Sequence, residues 1–304
     1  MSRNFIRFMG MMPILPTTID ENGDIISDDI KALVEYCIKA GSKAIGHLAG
    51  ASEFNSIARE DRELIIKTLV RDVNGRLPVF MGAAANNVKD SVYNAKTAEA
   101  LGADLIMLCS PPMGSGTVDE LFKYYERVCS AVNIPVIVQD TGGSAANYSP
   151  AFLIRLYNEI ENIGYVKAEG GQWLQKLHEL MQIIPDGLQV IGGAAGKNMM
   201  QMLHLGVTAF MTGTEAQEIH NSVVQAYLSG DEDKALHLYC TTLLPYLELF
   251  TSTNSRISLK HMLSRRGILS SERILFPAND ISPANEFVLR ELDWLLDRID
   301  KGNV

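Results

Sequence analysis

A chain of 304 residues, 47% hydrophobic and 21% charged with a mean hydropathy of +0.05, can bury a large core as one domain or as a domain with an appendage, which excludes disorder. Its formal charge of −9 and pI near 5.2 argue against nucleic acid as a partner, and the lack of a polybasic run argues against a membrane surface. The apolar runs fall short of the roughly 18 residues of a membrane span, and Met1-Ser2-Arg3-Asn4-Phe5 is not followed by a signal-peptide core, so the expectation is a soluble cytoplasmic protein with a small-molecule ligand. Cys37, Cys109, Cys129 and Cys240 form no C-x-x-C pair, so they predict buried small side chains, not disulfides or a zinc site.

In chain order, Met9–Leu15 predicts a first strand, and Asp20-Glu21-Asn22-Gly23-Asp24 a polar β-turn. The glycine of that turn is misplaced for a calcium loop. Ser27 is the expected cap of a helix whose apolar positions Ile30, Leu33, Val34, Cys37 and Ile38 lie on one face, ended by Gly41. Lys43–Leu48 predicts the second strand, emptying into Ala49-Gly50-Ala51-Ser52-Glu53. The pattern then recurs: helix 59–74 and strand 79–81; helix 87–101 and strand 104–108; helix 117–131 and strand 136–139. A short helix after Ser149-Pro150 leads to the strand around Lys167, helix 172–183 to strand 188–191, and helix 197–204 to strand 208–211. These strands are continuously apolar, as parallel strands covered on both faces are. Eight such units predict an α/β fold, a (β/α)8 TIM barrel over 1–228, followed over 229–304 by a three-helix appendage (231–250, 255–266 and 283–300). Leucines and tyrosines of the appendage such as Leu236, Tyr239 and Leu244 read as core or subunit contacts.

In such a barrel the site lies at the carboxyl ends of the strands. The run Asn162-Ile163-Gly164-Tyr165-Val166-Lys167-Ala168-Glu169-Gly170-Gly171 puts one lysine in a short apolar strand, sharing a face with Tyr165 and Glu169. Lys167 is then a strand-end lysine reaching water, a lysine neutralised by Glu169, or an amine whose pKa is lowered far enough to attack a ketone and form a Schiff base. Small residues in the loops, Gly50, Ala51 and Ser52 after strand two and Gly193 and Ala194 after strand seven, let backbone N–H groups approach an anionic substrate. No metal-ligand cluster and no dinucleotide or phosphate-loop motif stands out, so no metal and no cofactor is expected. Of six histidines, only His47 falls on a strand and could face the interior.

The chain resembles the dihydrodipicolinate synthase and N-acetylneuraminate lyase superfamily of Schiff-base class I aldolases. The resemblance rests on Pro13–Thr18, on Ala49–Glu53 in place of G-T-T-G-E, on Ser56–Arg62, Pro78-Val79 with Gly82, Pro111-Pro112, Ile134–Ile137, Val166-Lys167 and Gly192-Gly193, and on appended helices carrying Lys260 and Gly267. It implies a 2-oxo acid held as an imine on Lys167, its carboxylate at the loop after strand two through backbone N–H groups and the Ser52 hydroxyl, and a homotetramer or dimer. It also implies two tyrosines that this chain lacks: Gln139-Asp140 stands at the end of strand five, and Met113 stands after strand four. The Gln-Asp pair, Ser52-Glu53 and Tyr165–Glu169 are similar to the branch containing 2-keto-3-deoxy-L-arabonate dehydratase. The expectation is a lyase on a 2-keto-3-deoxy sugar acid, dehydrating its substrate, with Gln139 and Ser144 positioning the C4 hydroxyl and water or substrate groups moving protons. The alternatives are a pyruvate-dependent aldolase or synthase, and a catalytically silent barrel that still binds 2-oxo acids.

Overall fold

The computed structural model describes residues 5–111, 117–141, 148–169, 173–252, 255–275 and 283–300. The apolar runs form strands because a strand walled by helices outside and by side chains inside has no wet face. In chain order the elements are β1 (Gly10–Met11), α1 (Ser27–Lys39), β2 (Ile45–His47), α2 (Arg59–Val73), β3 (Val79–Gly82), α3 (Val88–Ala100), β4 (Leu105–Leu108) and α4 (Val118–Cys129). There follow β5 (Val136–Asp140), α5 (Pro150–Glu159), β6 (Ile163–Ala168), α6 (Trp173–Ile183), β7 (Gln189–Gly192), α7 (Met199–His204), β8 (Ala209–Phe210) and α8 (Gln217–Leu228). Among the described residues four more helices follow: α9 (Glu232–Leu238), α10 (Leu244–Thr251), α11 (Ser255–Arg265) and α12 (Pro283–Asp300).

All strand pairings are parallel, in the order β1-β8-β7-β6-β5-β4-β3-β2. Ile14 closes the circle by bridging Gly46 of β2 and Gly213 beyond β8. The hydrogen bonds from Gly46 N to Pro13 O (2.9 Å) and from Leu15 N to Gly46 O (2.8 Å) complete the seam. This is the (β/α)8 barrel that the repeat predicts.

The two-residue period of the strands sorts side chains into two cores. Inside the barrel lie Met107, Ile137, Tyr165, Ile191, Ala209 and their neighbours. Between sheet and helices lies the larger cluster, with Val136, Val138 and Val166 turned outward. The small interior forces small residues where rings cross. A Cβ on Gly46 would stand 2.1 Å from the Phe80 ring, and one on Gly82 would stand 1.8 Å from the Leu48 carbonyl oxygen.

Several local expectations are corrected. Ser27 is the first helical residue and caps nothing; the cap position is Ile26, whose N–H is already bound to Thr18 O at 3.0 Å. The first strand is shorter than Met9–Leu15, because Pro13 has no N–H to give to a ladder. The helix expected over 231–250 breaks into α9, a π-helical turn at Tyr239–Leu243 and α10. Pro245 cannot supply the N–H that a continuous α-helix needs there, and the wider turn absorbs the defect. Cys37 and Cys129 are buried, Cys109 is half-buried and Cys240 is exposed on the π-helical turn. Leu236 and Leu244 are also exposed, whereas Tyr239, Leu243, Tyr246 and Leu247 are core. The polar turn is a β-turn held by Asp20 Oδ1, which accepts from the N–H groups of Asn22 and Asp24.

The contact between Gly82 and Leu48 generates a stability prediction. Gly82→Ala should cost about 3 kcal/mol, since the clash is with backbone and cannot be relieved by a rotamer. Gly50→Ala, with open space around its Cβ, should change stability by no more than about 0.5 kcal/mol. Urea titrations of the two variants check this, and equal midpoints would contradict it.

Candidate active site

The inward positions at the carboxyl ends of β5 and β6 converge with the loops after β2 and β7 on one cavity of about 330 Å³, lined among others by Lys167, Glu169, Gln139, Gly50, Ala51 and Ala195. On β6, Tyr165 fills the barrel and Lys167, two residues on, reaches its mouth. Glu169 continues the same face beyond the strand. Gln139 of β5 stands in register beside Lys167, and its neighbour Asp140 points the other way, to an ion pair with Lys176. The two halves of the Gln139-Asp140 pair therefore serve different sides of the sheet.

Lys167 is 3% exposed and lies 2.8 Å from Glu169 Oε1. Of the sequence readings, burial beside Glu169 is the geometry found. Glu169 is the hub: Gln139 Nε2 donates to its Oε2 at 2.6 Å, and the Ala194 N–H donates to its Oε1 at 3.2 Å. Burial by itself would raise the Glu169 pKa. The charge of Lys167 and the three donors outweigh it and hold the carboxyl below its ordinary value of 4.5.

The loop after β7 is shaped around that carboxylate. A Cβ on Gly193 would stand 2.2 Å from Glu169 Cγ, so only glycine admits the side chain. Ala194 and Ala195 are both left-handed (φ 52° and 56°), a conformation that costs roughly 1–2 kcal/mol per residue. His220, fully buried, lies against this turn: its Nε2 stands 2.9 Å from the Ala195 carbonyl oxygen and its Nδ1 2.7 Å from that of Ala216. Gly193 and Ala194 thus act on Glu169, and Ala195 is the residue of that loop that lines the cavity.

After β2, Gly50–Ser52 form one 3-10 turn. The N–H groups of Gly50 and Ala51 stand in its first turn, where no intrahelical acceptor exists. Ser52 is fully buried, with its hydroxyl donating to Leu15 O at 2.6 Å, so it supports the turn from below and does not line the cavity. Ser144 and Met113 lie outside the described residues.

Three phenols gather at the end of β4. The Tyr125 and Tyr148 hydroxyls meet at 2.8 Å, Tyr125 donates to Leu108 O (3.2 Å), Tyr124 donates to Cys109 O (3.0 Å), and the Ser110 N–H donates to the Tyr148 hydroxyl (3.2 Å). Burial pushes the Tyr148 pKa up to about 12 and those of Tyr124 and Tyr125 higher still, so these groups stay protonated and secure the backbone. His47 is likewise structural: its Nε2 meets Pro16 O at 3.2 Å, and its Nδ1 accepts the Leu48 N–H at 2.7 Å. Among the described residues no group of three or more His, Cys, Asp or Glu side chains is placed to hold a metal, and no helix is long and apolar enough to cross a membrane.

Glu169 is the functional candidate that the site expectation left out. The signal was available: an acid two residues after a strand lysine points the same way and lies within ion-pair reach.

The dihydrodipicolinate synthetase family model matches residues 7–291. L-2-keto-3-deoxyarabonate dehydratase of Azospirillum brasilense is 29% identical over 296 residues, which are 96% of this chain and 95% of that protein. 4-Hydroxy-tetrahydrodipicolinate synthase of Bacillus subtilis is 25% identical over 271 residues, 86% and 91% of the two chains. Among solved structures, dihydrodipicolinate synthase of Aquifex aeolicus superposes with a TM-score of 0.88 at 22% identity, covering 95% of this chain and 98% of that one.

Burial of His47 generates a pH prediction. Its pKa falls from 6.5 to about 3, because the side chain, in register with outward-facing Met81 and not turned into the barrel as the sequence suggested, is buried between sheet and helices where its cation cannot be solvated. Below pH 6.5 the unfolded chain takes up a proton that the folded chain refuses, so stability is lost as pH falls from 6.5 towards 3. The unfolding midpoint should drop over pH 6.5 to 4 with a shallower slope in His47→Asn; parallel slopes would refute the assignment.

Proposed function

The chain belongs to the dihydrodipicolinate synthetase family, and from that premise we propose that it is a Schiff-base lyase that dehydrates a 2-keto-3-deoxy sugar acid. The observation that carries the reading is the Glu169 carboxylate, 2.8 Å from the only described lysine amine lining the cavity, that of Lys167.

In this reading Glu169 takes the ammonium proton of Lys167, the freed amine attacks the C2 ketone of a 2-oxo acid, the same proton goes to the C2 oxygen as it leaves as water, and the protonated imine becomes an electron sink. The Gly50 and Ala51 N–H groups receive the C1 carboxylate. Glu169, held ionised by its donors, accepts a proton from C3, and the electron pair runs into the imine to give an enamine. The same carboxyl, now an acid, returns that proton to the C4 oxygen as the enamine pushes out water. One group thereby serves both proton steps, and the C3 hydrogen and C4 hydroxyl leave as water; a C5 proton then shifts to C3, the resulting C4–C5 enol becomes the C5 carbonyl, and a second water hydrolyses the imine to free the Lys167 amine. Gln139 is bound to Glu169, so its part is to aim the carboxylate; the sequence expectation that it orients the C4 hydroxyl is replaced by this role.

Dehydration is favoured over aldol cleavage by the kind of acid present. A carboxylic acid is stronger than a phenol by roughly six pK units, and expulsion of hydroxide needs an acid at the departing oxygen. The phenol that the family resemblance implies after β5 is absent, and a carboxyl stands at the lysine instead. The similarity to a keto-deoxy sugar acid dehydratase supports the same choice.

Borohydride in the presence of pyruvate or a 2-keto-3-deoxy acid should trap an adduct on Lys167, found by peptide mapping, and Lys167→Ala should abolish it. Absence of an adduct in the unaltered protein with every 2-oxo acid tried would leave only the silent barrel. Glu169→Gln should retain trapping while kcat falls about 10²- to 10⁴-fold. Product analysis with 2-keto-3-deoxy pentonates and hexonates decides the bond: a 2-oxo semialdehyde without pyruvate supports the dehydratase, and pyruvate plus an aldehyde overturns it.

A further inference from the structure

A second buried charge pair lies where the appended helices meet the loop after β2. Lys260 of α11 stands 2.7 Å from Glu53 Oε1, and both side chains are 1% exposed. Glu53 directly follows the Gly50–Ser52 turn, and its own backbone is left-handed (φ 57°, ψ 36°), a conformation that a glutamate adopts only when its surroundings impose it. Its Oε2 accepts the Leu275 N–H at 2.8 Å, and the Lys260 amine also donates to the Arg273 carbonyl. The turn is thus gripped from behind by α11 and by the irregular stretch that follows it. From below, Ser52 Oγ donates to Leu15 O and Thr17 Oγ1 donates to Ser52 O, each at 2.6 Å.

A fully buried ion pair is a poor source of stability, since the desolvation of two charges offsets most of their attraction, and an apolar pair of the same volume often does as well. Burial pulls the Lys260 pKa down, and Glu53 opposes that pull. What the pair supplies that an apolar contact cannot is a fixed length and direction. Both are delivered to a single point, the residue that ends the 3-10 turn. Leu259, the residue before Lys260, lines the same cavity as Gly50, Ala51 and Lys167. One helix therefore both walls the cavity and holds its opposite rim.

We propose that Glu53 and Lys260 are positioning residues that aim the Gly50 and Ala51 N–H groups at the substrate carboxylate, which makes α11 part of the 2-oxo acid binding apparatus. This rests on the reading of Lys167 as the imine-forming amine. The clamp acts on the carboxylate and not on the lysine, so it predicts a selective defect. Glu53→Gln or Lys260→Met weakens capture of a ketone that carries a carboxylate and spares capture of a neutral one.

The test is borohydride trapping on Lys167 with pyruvate and, in parallel, with hydroxyacetone, a ketone without a carboxylate. For both variants the half-saturating pyruvate concentration should rise at least tenfold, while trapping of hydroxyacetone stays within twofold of the unaltered protein. A plain folding defect would lower both together, and that result, or no change in either, overturns the clamp. Glu53→Asp, which keeps the charge and shortens its reach, carries the same comparison if the larger changes prevent folding. If the unaltered protein traps neither ketone, the imine reading itself fails and the clamp falls with it; if it traps both and the variants match it, the clamp alone fails.

Discussion

The pairing of Lys167 with Glu169 is the constraint around which the upper face of the barrel is built. A lysine and a glutamate cannot be left in an apolar interior without mutual neutralisation and further hydrogen bonds, because each would carry an uncompensated desolvation cost. The surroundings answer that need. Gln139 sits in register on β5 to give Glu169 an amide donor, the β7 loop gives it the Ala194 N–H, and Gly193 leaves it room. The left-handed Ala194 and Ala195 and the buried His220 beneath them belong to the same arrangement. A change in any of these reaches the amine through the carboxylate.

In the proposed reading, acid–base chemistry at Lys167 comes from the residue that directly follows its own strand. Where the family resemblance implies phenols brought in from other loops, the group paired with Lys167 here is a carboxylate two residues further along the chain. The tyrosines that remain near β4 are buried, protonated and committed to the backbone of Leu108, Cys109 and Ser110. The appended helices are drawn into the site as well. They wall the cavity through Phe250 and Leu259 and reach the loop after β2 through Lys260, so the barrel and the helices behind it together enclose the candidate site.

Strand parity explains how one stretch can serve fold and site at once. On β5, Ile137 and Gln139 face the interior while Val136, Val138 and Asp140 face the helices. On β6, Tyr165 plugs the barrel, its hydroxyl donating to Ile6 O at 2.7 Å, and the next inward position is the lysine. The packed interior ends where the cavity begins, and the change occurs within two residues.

The barrel, the order of its units and the place of Lys167 at the end of the sixth strand were all determined by the sequence, because continuous apolar runs spaced by amphipathic helices admit one closed parallel arrangement. The pairing of Glu169 with Lys167 was also legible, since residues two apart on a strand share a face. The partners of Glu169 were not. Gln139, Gly193 and Ala194 lie 30, 24 and 25 positions from it along the chain, and only closure of the barrel brings β5, β6 and β7 side by side. The same holds for Ser52, whose hydroxyl faces Leu15 and not the cavity, and for Glu53, whose partner on α11 lies 207 residues away. Local pattern decides which face a side chain takes; which group it meets there is set by the long-range register, and that is a property of the folded chain alone.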